Sequence, residues 1–196
     1  IMPNTPVAVG KGTILYCRND LVEDAVLAEV LHDLRFAGVL DPLEETLIDA
    51  ACTVSGCGPA YAYMFLDALA AGAVACGVPR EKALRYAAAT MEGAAQMFLT
   101  TGQHPDALKD AVCSPGGSTI EGVKVLEAQD FRDTVKEALA AAYRRNLELG
   151  RWKALPNTIK TGDNDMKNSK SESYAQAGVD ITAGYRAVEL MKAHIA

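Results

Sequence analysis

Between Pro59 and Gly77 the chain carries one charge, Asp67, in a run otherwise built of alanine, aromatic, aliphatic and glycine residues with Met64 and Cys76. A surface helix has one apolar stripe, whereas a helix apolar nearly all round must be covered all round, by a core or by a subunit interface. The alanine-rich stretch from Ala68 to Ala75 points to close helix–helix contact. A membrane does not supply the cover. The apolar run from Cys52 is broken by Gly56, Gly58, Pro59 and Asp67, short of the roughly 18 uninterrupted apolar residues of a span.

Around that helix, Leu43 to Leu149 reads as an all-helical block. Pro79 stands where a first-turn proline is tolerated and opens a helix to about Leu99, with Gly102 as its stop. His104-Pro105 starts a shorter helix ending near Val112, with His104 as its cap. Another begins around Thr119. Asp130 is expected to cap the last strong one, which gathers Phe131, Val135, Ala138, Leu139 and Ala142 on one face.

The first forty residues differ. Thr13 to Cys17 has the β-branched and aromatic content of a strand, entered from a Gly10/Gly12 turn. Leu21 to Leu34 places Val22, Val26, Val30 and Leu34 at four-residue steps, an amphipathic helix. Phe36 to Leu40 reads as a short second strand, ended by Asp41-Pro42. This β-α-β piece is too small to bury both faces of a sheet and reads as the tail of an α/β domain. Beyond Gly150 the periodicity is lost, and the small polar residues from Thr161 to Ser173 read as linker. Asp163, Asn164 and Asp165 lack the spacing, glycine and distal glutamate of a calcium loop. Tyr185 to Ile195 is weakly amphipathic and too short to be stable alone.

Composition bounds the function. The chain has 196 residues, 49% of them apolar and 22% charged, which suits a globular protein with a real core. A net charge of -6 argues against wholesale nucleic-acid binding, which needs a basic face, but leaves room for one local anion site. Five cysteines without a CxxC pair and three scattered histidines fit neither a disulfide framework nor a closed metal site. A reducing cytoplasm is therefore expected. No signal peptide is visible. The chain opens at Ile1 rather than methionine, and an upstream part is expected.

The most informative motif is Ser114-Pro115-Gly116-Gly117-Ser118-Thr119, running into a helix. Two glycines let backbone N–H groups converge on one point, and the helix start adds unpaired N–H groups and a favourable dipole end. Three hydroxyls surround it. The pattern suits a carboxylate or phosphate, and equally a plain helix–helix turn. Ser55-Gly56-Cys57-Gly58-Pro59 fails the dinucleotide fingerprint, as do Gly10 and Gly12, and tight packing at a helix start is the better reading. Cys57 and Cys113 have no adjacent histidine or basic residue and read as small packing residues rather than nucleophiles.

Four segments in order carry a likeness: Met2-Pro3-Asn4-Thr5-Pro6, Val54 to Tyr61, His104-Pro105 with Leu108-Lys109-Asp110, and Ser114 to Ile120. Together they resemble the pyrroline-5-carboxylate reductase family over roughly residues 1 to 150. Gly56-Cys57-Gly58 replaces that family's usual Gly-Ser-Gly, and Gln103 stands where bacterial members often have glutamate. The resemblance implies a mainly α chain: a helical dimerisation domain of the 6-phosphogluconate-dehydrogenase-like C-terminal type, preceded by a short β-α-β remnant of a Rossmann domain. The expected divisions are 1–42 for the remnant, 43–150 for the helical domain and 151–172 for a linker. Residues 173–196 resemble the amino terminus of phosphoribosylformylglycinamidine cyclo-ligase, with Ser173 to Asp180 and Ala183-Gly184-Tyr185 carrying that likeness. That family's ATP-binding core is absent, so the chain is expected to span two fused or neighbouring reading frames.

The reductase resemblance implies NAD(P)H-dependent reduction of 1-pyrroline-5-carboxylate to proline by a homodimer, assembled further into rings of dimers, with no metal. Carried over, Ser114 and the Gly116-Gly117-Ser118-Thr119 backbone would hold the substrate carboxylate. Thr119 would lie nearest the imine nitrogen as the catalytic side chain. Met2, Pro3, Asn4 and Thr5 would line the nicotinamide of NADPH or NADH, and most of the cofactor site would belong to the missing domain. This chain by itself is therefore expected to turn over negligibly. A non-catalytic helical oligomerisation module, or the helical domain of another imine or hydroxyacid dehydrogenase, stays open beside that reading.

Overall fold

A computed structural model describes residues 1–153; the last helix runs to Lys153, three residues into the expected 151–172 linker, and the rest of that linker and the cyclo-ligase-like tail lie outside the described residues. A single-turn 3-10 helix, Thr5–Val9, closes on Gly10 in the left-handed region and leads into β1 (Gly12–Tyr16). Next come α1 (Asp24–Leu34) and β2 (Gly38–Pro42), which pairs with β1 in parallel, Gly12 opposite Gly38. The expected β-α-β unit is therefore present. Asp41 and Pro42 lie inside the second strand rather than ending it, since an edge strand can carry a proline.

After β2 the chain is helix after helix: α2 (Glu45–Ser55), α3 (Gly58–Ala75), α4 (Arg80–Thr101), α5 (Pro105–Ala111), α6 (Ser118–Ala128) and α7 (Phe131–Lys153). Gly102 stops α4 as its composition implies, with φ 62° and its N–H donating to the Phe98 carbonyl at 2.9 Å. The His104 side chain accepts from the Asp106 N–H at 3.2 Å and caps α5. Asp130 behaves differently from a side-chain cap. Its backbone is left-handed, φ 52°, and its carbonyl rather than its carboxylate accepts from the Thr134 N–H at 2.9 Å. A short polar side chain tolerates that conformation and lets α6 turn into α7 within two residues.

The described chain forms two compact units. One holds Ile1–Cys57 with the described residues from Tyr143 on; the other is Gly58–Ala142. In the first unit Val7 of the 3-10 helix and Ile14 and Leu15 of β1 are buried, and α2 packs on β1. The buried hydroxyls of Thr53 and Ser55 donate to the carbonyls of Ala50 and Ala51 one turn back, so neither is left unpaired. Asn146 in the last turns of α7 donates to the Asp49 carbonyl at 3.0 Å and ties that helix end to α2.

In the second unit α3 and α4 form the principal pair, meeting through Ala70, Ala83 and Ala87, with Leu66, Ala73, Val78 and Leu84 around them. Alanines at the seam let two helices approach closely. That seam covers one side of α3 only. Met64 stays 73% exposed, Leu99 at the end of α4 73% and Val125 on α6 63%. The face expected for α7 behaves the same way: Ala138, Leu139 and Ala142 are half-buried, while Phe131 and Val135 remain exposed. Phe131 lies with its ring centroid 5.9 Å from that of Phe65. Among the described residues, no helix is long and apolar enough to cross a membrane.

Candidate functional site

The glycine turn lies wholly within the second unit. The N–H of Gly117 donates to the Ser114 carbonyl at 3.0 Å, closing a turn in which Gly116 takes φ 71°. That sign of φ strongly favours glycine. Gly117 then serves as the N-cap of α6 and, having no side chain, supplies no capping acceptor. The first-turn N–H groups of Ser118, Thr119 and Ile120 have no carbonyl four residues back within the helix. They are donors awaiting an acceptor, at the end of the helix that favours negative charge. Ser114, Ser118 and Thr119 are exposed beside them, and Cys113 and Gly117 are half-buried.

Gly117 is constrained from a second direction. A Cβ built on it would lie 2.5 Å from the Ser114 Oγ and 3.1 Å from the Ser114 carbonyl oxygen. The serine hydroxyl thus sits over the glycine backbone, on the same side as the turn. The motif's two glycines serve different ends, one for its φ and one for space.

Helix α5 leads into this turn and is anchored by an ion-pair network. Asp106 accepts from Arg132 at 2.5 Å, and Lys109 lies 3.3 Å from Asp110 and 3.8 Å from Glu127. The Arg132 guanidinium, by hydrogen bond and then by charge, holds the Asp106 carboxyl below its ordinary value. Asp110 raises the Lys109 ammonium. All these groups meet water, so each pair alone adds little, but together they tie α5 to α6 and α7. Because the Asp106 value is depressed in the fold, its contribution is present above the unfolded carboxylate value and lost as pH falls through the folded one. Arg132→Gln should therefore raise the Asp106 midpoint in a carboxyl carbon NMR titration and destabilise the protein at neutral pH. The stability difference should vanish in acid; a difference that persists there would mean the arginine acts by packing instead.

The residues carried over for the nicotinamide lie in the first unit. Met2 is bridged to Leu15 by both backbone hydrogen bonds, 2.7 and 3.0 Å. The Asn4 Nδ2 donates to the Ser55 carbonyl at 2.8 Å, and its Oδ1 accepts from the Thr13 N–H at 2.9 Å. Its carboxamide joins three backbone segments, the 2–5 stretch, β1 and the end of α2. Both ends of that amide are thereby engaged by the protein itself. Pro3 and Thr5, by contrast, are exposed. Asn4 thus sets the backbone of this stretch rather than reaching outward.

Sequence reasoning located the glycine turn but gave no sign of the Asn4–Ser55 bond or the Asp106–Arg132 pair. Those partners stand 51 and 26 residues apart, beyond any local pattern.

Comparison with known proteins adds a family. Residues 45–149 match the family model described as pyrroline-5-carboxylate reductase dimerisation. The chain is 44% identical over 150 residues to pyrroline-5-carboxylate reductase of Escherichia coli (strain K12), covering 76% of this chain and 56% of that protein. It is 47% identical over 150 residues to pyrroline-5-carboxylate reductase 2 of Homo sapiens, covering 76% and 46%. Among solved structures, the Plasmodium falciparum pyrroline carboxylate reductase with NADP bound superposes with a TM-score of 0.72 at 36% identity, covering 76% of this chain and 61% of that one. The Coxiella burnetii pyrroline-5-carboxylate reductase gives 0.70 at 35% identity, covering 76% and 55%. The chain spans about half the length of the curated relatives it matches.

Proposed function

The chain belongs to the pyrroline-5-carboxylate reductase family, and on that premise we propose that it contributes the substrate half of a reductase acting on 1-pyrroline-5-carboxylate. The observation that carries this reading is the row of first-turn N–H groups on α6 opening beneath the Ser114–Gly117 turn. The amides of Ser118, Thr119 and Ile120, with the Ser114 hydroxyl, would grip the substrate carboxylate and fix the ring. The Thr119 hydroxyl would hydrogen-bond the imine nitrogen and orient it for protonation. Met2, Pro3 and Thr5 would hold the nicotinamide of NADPH or NADH, with Asn4 keeping their backbone in place. When bound, that cofactor supplies the hydride for the C=N carbon; the chain's own contribution is position and an anion clamp.

The same proposal assigns 1–42 to the end of a Rossmann domain and 43–150 to the helical domain. Its partner is a second copy. The large apolar side chains left exposed on α3, α4 and α6, Met64, Leu99 and Val125 among them, support that, since a buried interface would cover them. Closure of dimers into rings belongs to the proposal too, as does a cytoplasmic home, which suits five free thiols.

The test has two arms. L-proline, bearing the product's carboxylate, is titrated into the chain while amide resonances are followed. Ser118, Thr119 and Ile120 should shift, and Gly117→Ala, which displaces the Ser114 hydroxyl, should weaken binding about tenfold, the value of one hydrogen bond to a charged group. Shifts clustered elsewhere would refute the anion site. Joined behind a complete Rossmann domain, the chain should oxidise NADPH with pyrroline-5-carboxylate. Thr119→Ala should then lower kcat/KM about tenfold or more, as loss of a positioned donor does; unchanged kinetics would remove its role.

A further inference from the structure

We propose that Cys52 and Cys57 form a dithiol that a peroxide converts into an intramolecular disulfide at the turn following α2. Three features of the structure carry the proposal. The Cys52 carbonyl accepts two hydrogen bonds, from the Gly56 N–H at 2.8 Å and from the Cys57 N–H at 3.1 Å. The first is an ordinary α-helical turn. The second closes a turn one residue wider, the geometry of a π-bulge, in which residue i+5 rather than i+4 stands over residue i. Cys57 is thus carried onto the face of Cys52, whereas a regular helix would turn it away. A disulfide requires Cα atoms within about 7 Å, and the hydrogen bond from the Cys57 N–H to the Cys52 carbonyl draws the two backbones toward each other.

The second feature is Gly56. A Cβ placed on it would lie 2.8 Å from the Cys52 Sγ, so the sulfur leans over the glycine, toward the end of the turn where Cys57 sits. Any other residue at position 56 would push it away. The third is exposure: Cys52 and Cys57 are both half-buried, and so reachable by a small oxidant. The remaining thiols, Cys17, Cys76 and Cys113, lie at least 19 positions from either residue in the chain, Cys76 being the nearest.

The chemistry balances with one peroxide. The Cys57 thiolate attacks the O–O bond; an S–O bond forms, the O–O bond breaks, and hydroxide leaves to become water. The sulfur is now a sulfenic acid. The Cys52 thiolate then attacks that sulfur, forming S–S and breaking S–O, and the second hydroxide leaves as water. Two thiols and one hydrogen peroxide give one disulfide and two waters. The roles divide this way because burial, then the neighbouring Cys57, then Asp49, push the Cys52 thiol up, which suits it to the second step, where the neighbouring sulfur is already oxidised.

The experiment treats the whole chain with equimolar hydrogen peroxide, denatures it, and counts thiols with a maleimide. The count should fall from five to three. The mass should fall by about 2 Da, the two hydrogens lost in one disulfide. Fragment-ion mapping should place the link between residues 52 and 57. Cys57→Ser should retain its four remaining thiols over the interval that oxidises the parent, Cys52→Ser should lose one thiol to a Cys57 sulfenic acid that nothing resolves, and Cys76→Ser should still lose two. A link between other residues, cross-linked chains as the main product, or equal thiol loss in Cys57→Ser would overturn the proposal. The mapping on the parent chain decides the matter even where a variant folds poorly.

Discussion

Replacing Gly38 by alanine is expected to cost about 3 kcal/mol or more and to unpair the two strands, because the position fails twice over. Its φ of 143° is a conformation that side chains rarely adopt. A Cβ there would also meet the Gly12 carbonyl oxygen at 2.0 Å and the Gly12 nitrogen at 2.4 Å. Those are backbone atoms of the facing strand, so no rotamer relieves the collision. Gly12 is closed in the same way, with Val7 Cγ1 at 2.2 Å from its own would-be Cβ. The start of the sheet is therefore a glycine–glycine crossing. The chain can accept alanine only by giving up the Gly12 N–H bond to the Ala37 carbonyl, 2.8 Å in the native fold, and the register set by it. Urea unfolding followed by circular dichroism would measure the loss. Amide exchange of Thr13 to Tyr16 would localise it, with protection falling toward that of an unpaired segment. Stability within about 0.5 kcal/mol of the parent, the range of an ordinary surface change, would mean that the strands are not paired as described.

Ala70→Leu should give the other large effect, in the helical unit. Ala70 is fully buried, against Ala83 at 1% exposure and Ala87 at 6%. Three further carbons placed between two helices that meet through methyl groups force the helices apart or the leucine off its rotamers, at about 1–3 kcal/mol. For a chain of this size that is a fall in Tm of about 2–12 °C, compared at one fixed protein concentration so that self-association contributes equally. An unchanged Tm would show that α3 and α4 do not meet at Ala70. The site is also informative about assembly. If a second copy covers the apolar outer faces of α3 and α4, Ala70→Leu should lower the association constant as well, since it displaces the helices that present those faces.

How much was legible beforehand differs from element to element. Each helix of the second unit shows itself locally. Gly102 marks a stop by its own conformational freedom, His104-Pro105 marks a start, and Gly116-Gly117 marks a turn whose φ nearly demands glycine. The Rossmann-like piece is equally visible, because alternation, amphipathic spacing and turn residues fall in the right order within residues 12–42. The partition of α3 between buried and exposed was not legible. A helix apolar nearly all round is consistent with a core or with an interface. Only the tertiary packing shows that α4 covers the Ala70 side and leaves Met64 and Leu69 open. Asp130 misled for a related reason. Asp before a helix reads as a cap, but the short link between α6 and α7 required a left-handed residue, and that need took precedence over side-chain capping.

The candidate site divides along the same line. Ser114 to Thr119 could be read as an anion turn because every group involved lies within six consecutive residues. The carboxamide of Asn4 could not be assigned, since its two partners are a strand amide and a carbonyl 51 residues away. Likewise the wide turn that brings Cys57 over Cys52 is set by which amide the Cys52 carbonyl accepts, and residue types alone do not state that.

Local chemistry thus determined where this chain turns, where its helices begin and end, and which short segment opens a helix behind a glycine turn. Those outcomes depend on φ preferences, caps and spacing within a few residues. Tertiary structure decided which faces are covered, which polar groups are already engaged and which remain available. That depends on contacts between residues far apart in the chain, whose energies no local pattern carries.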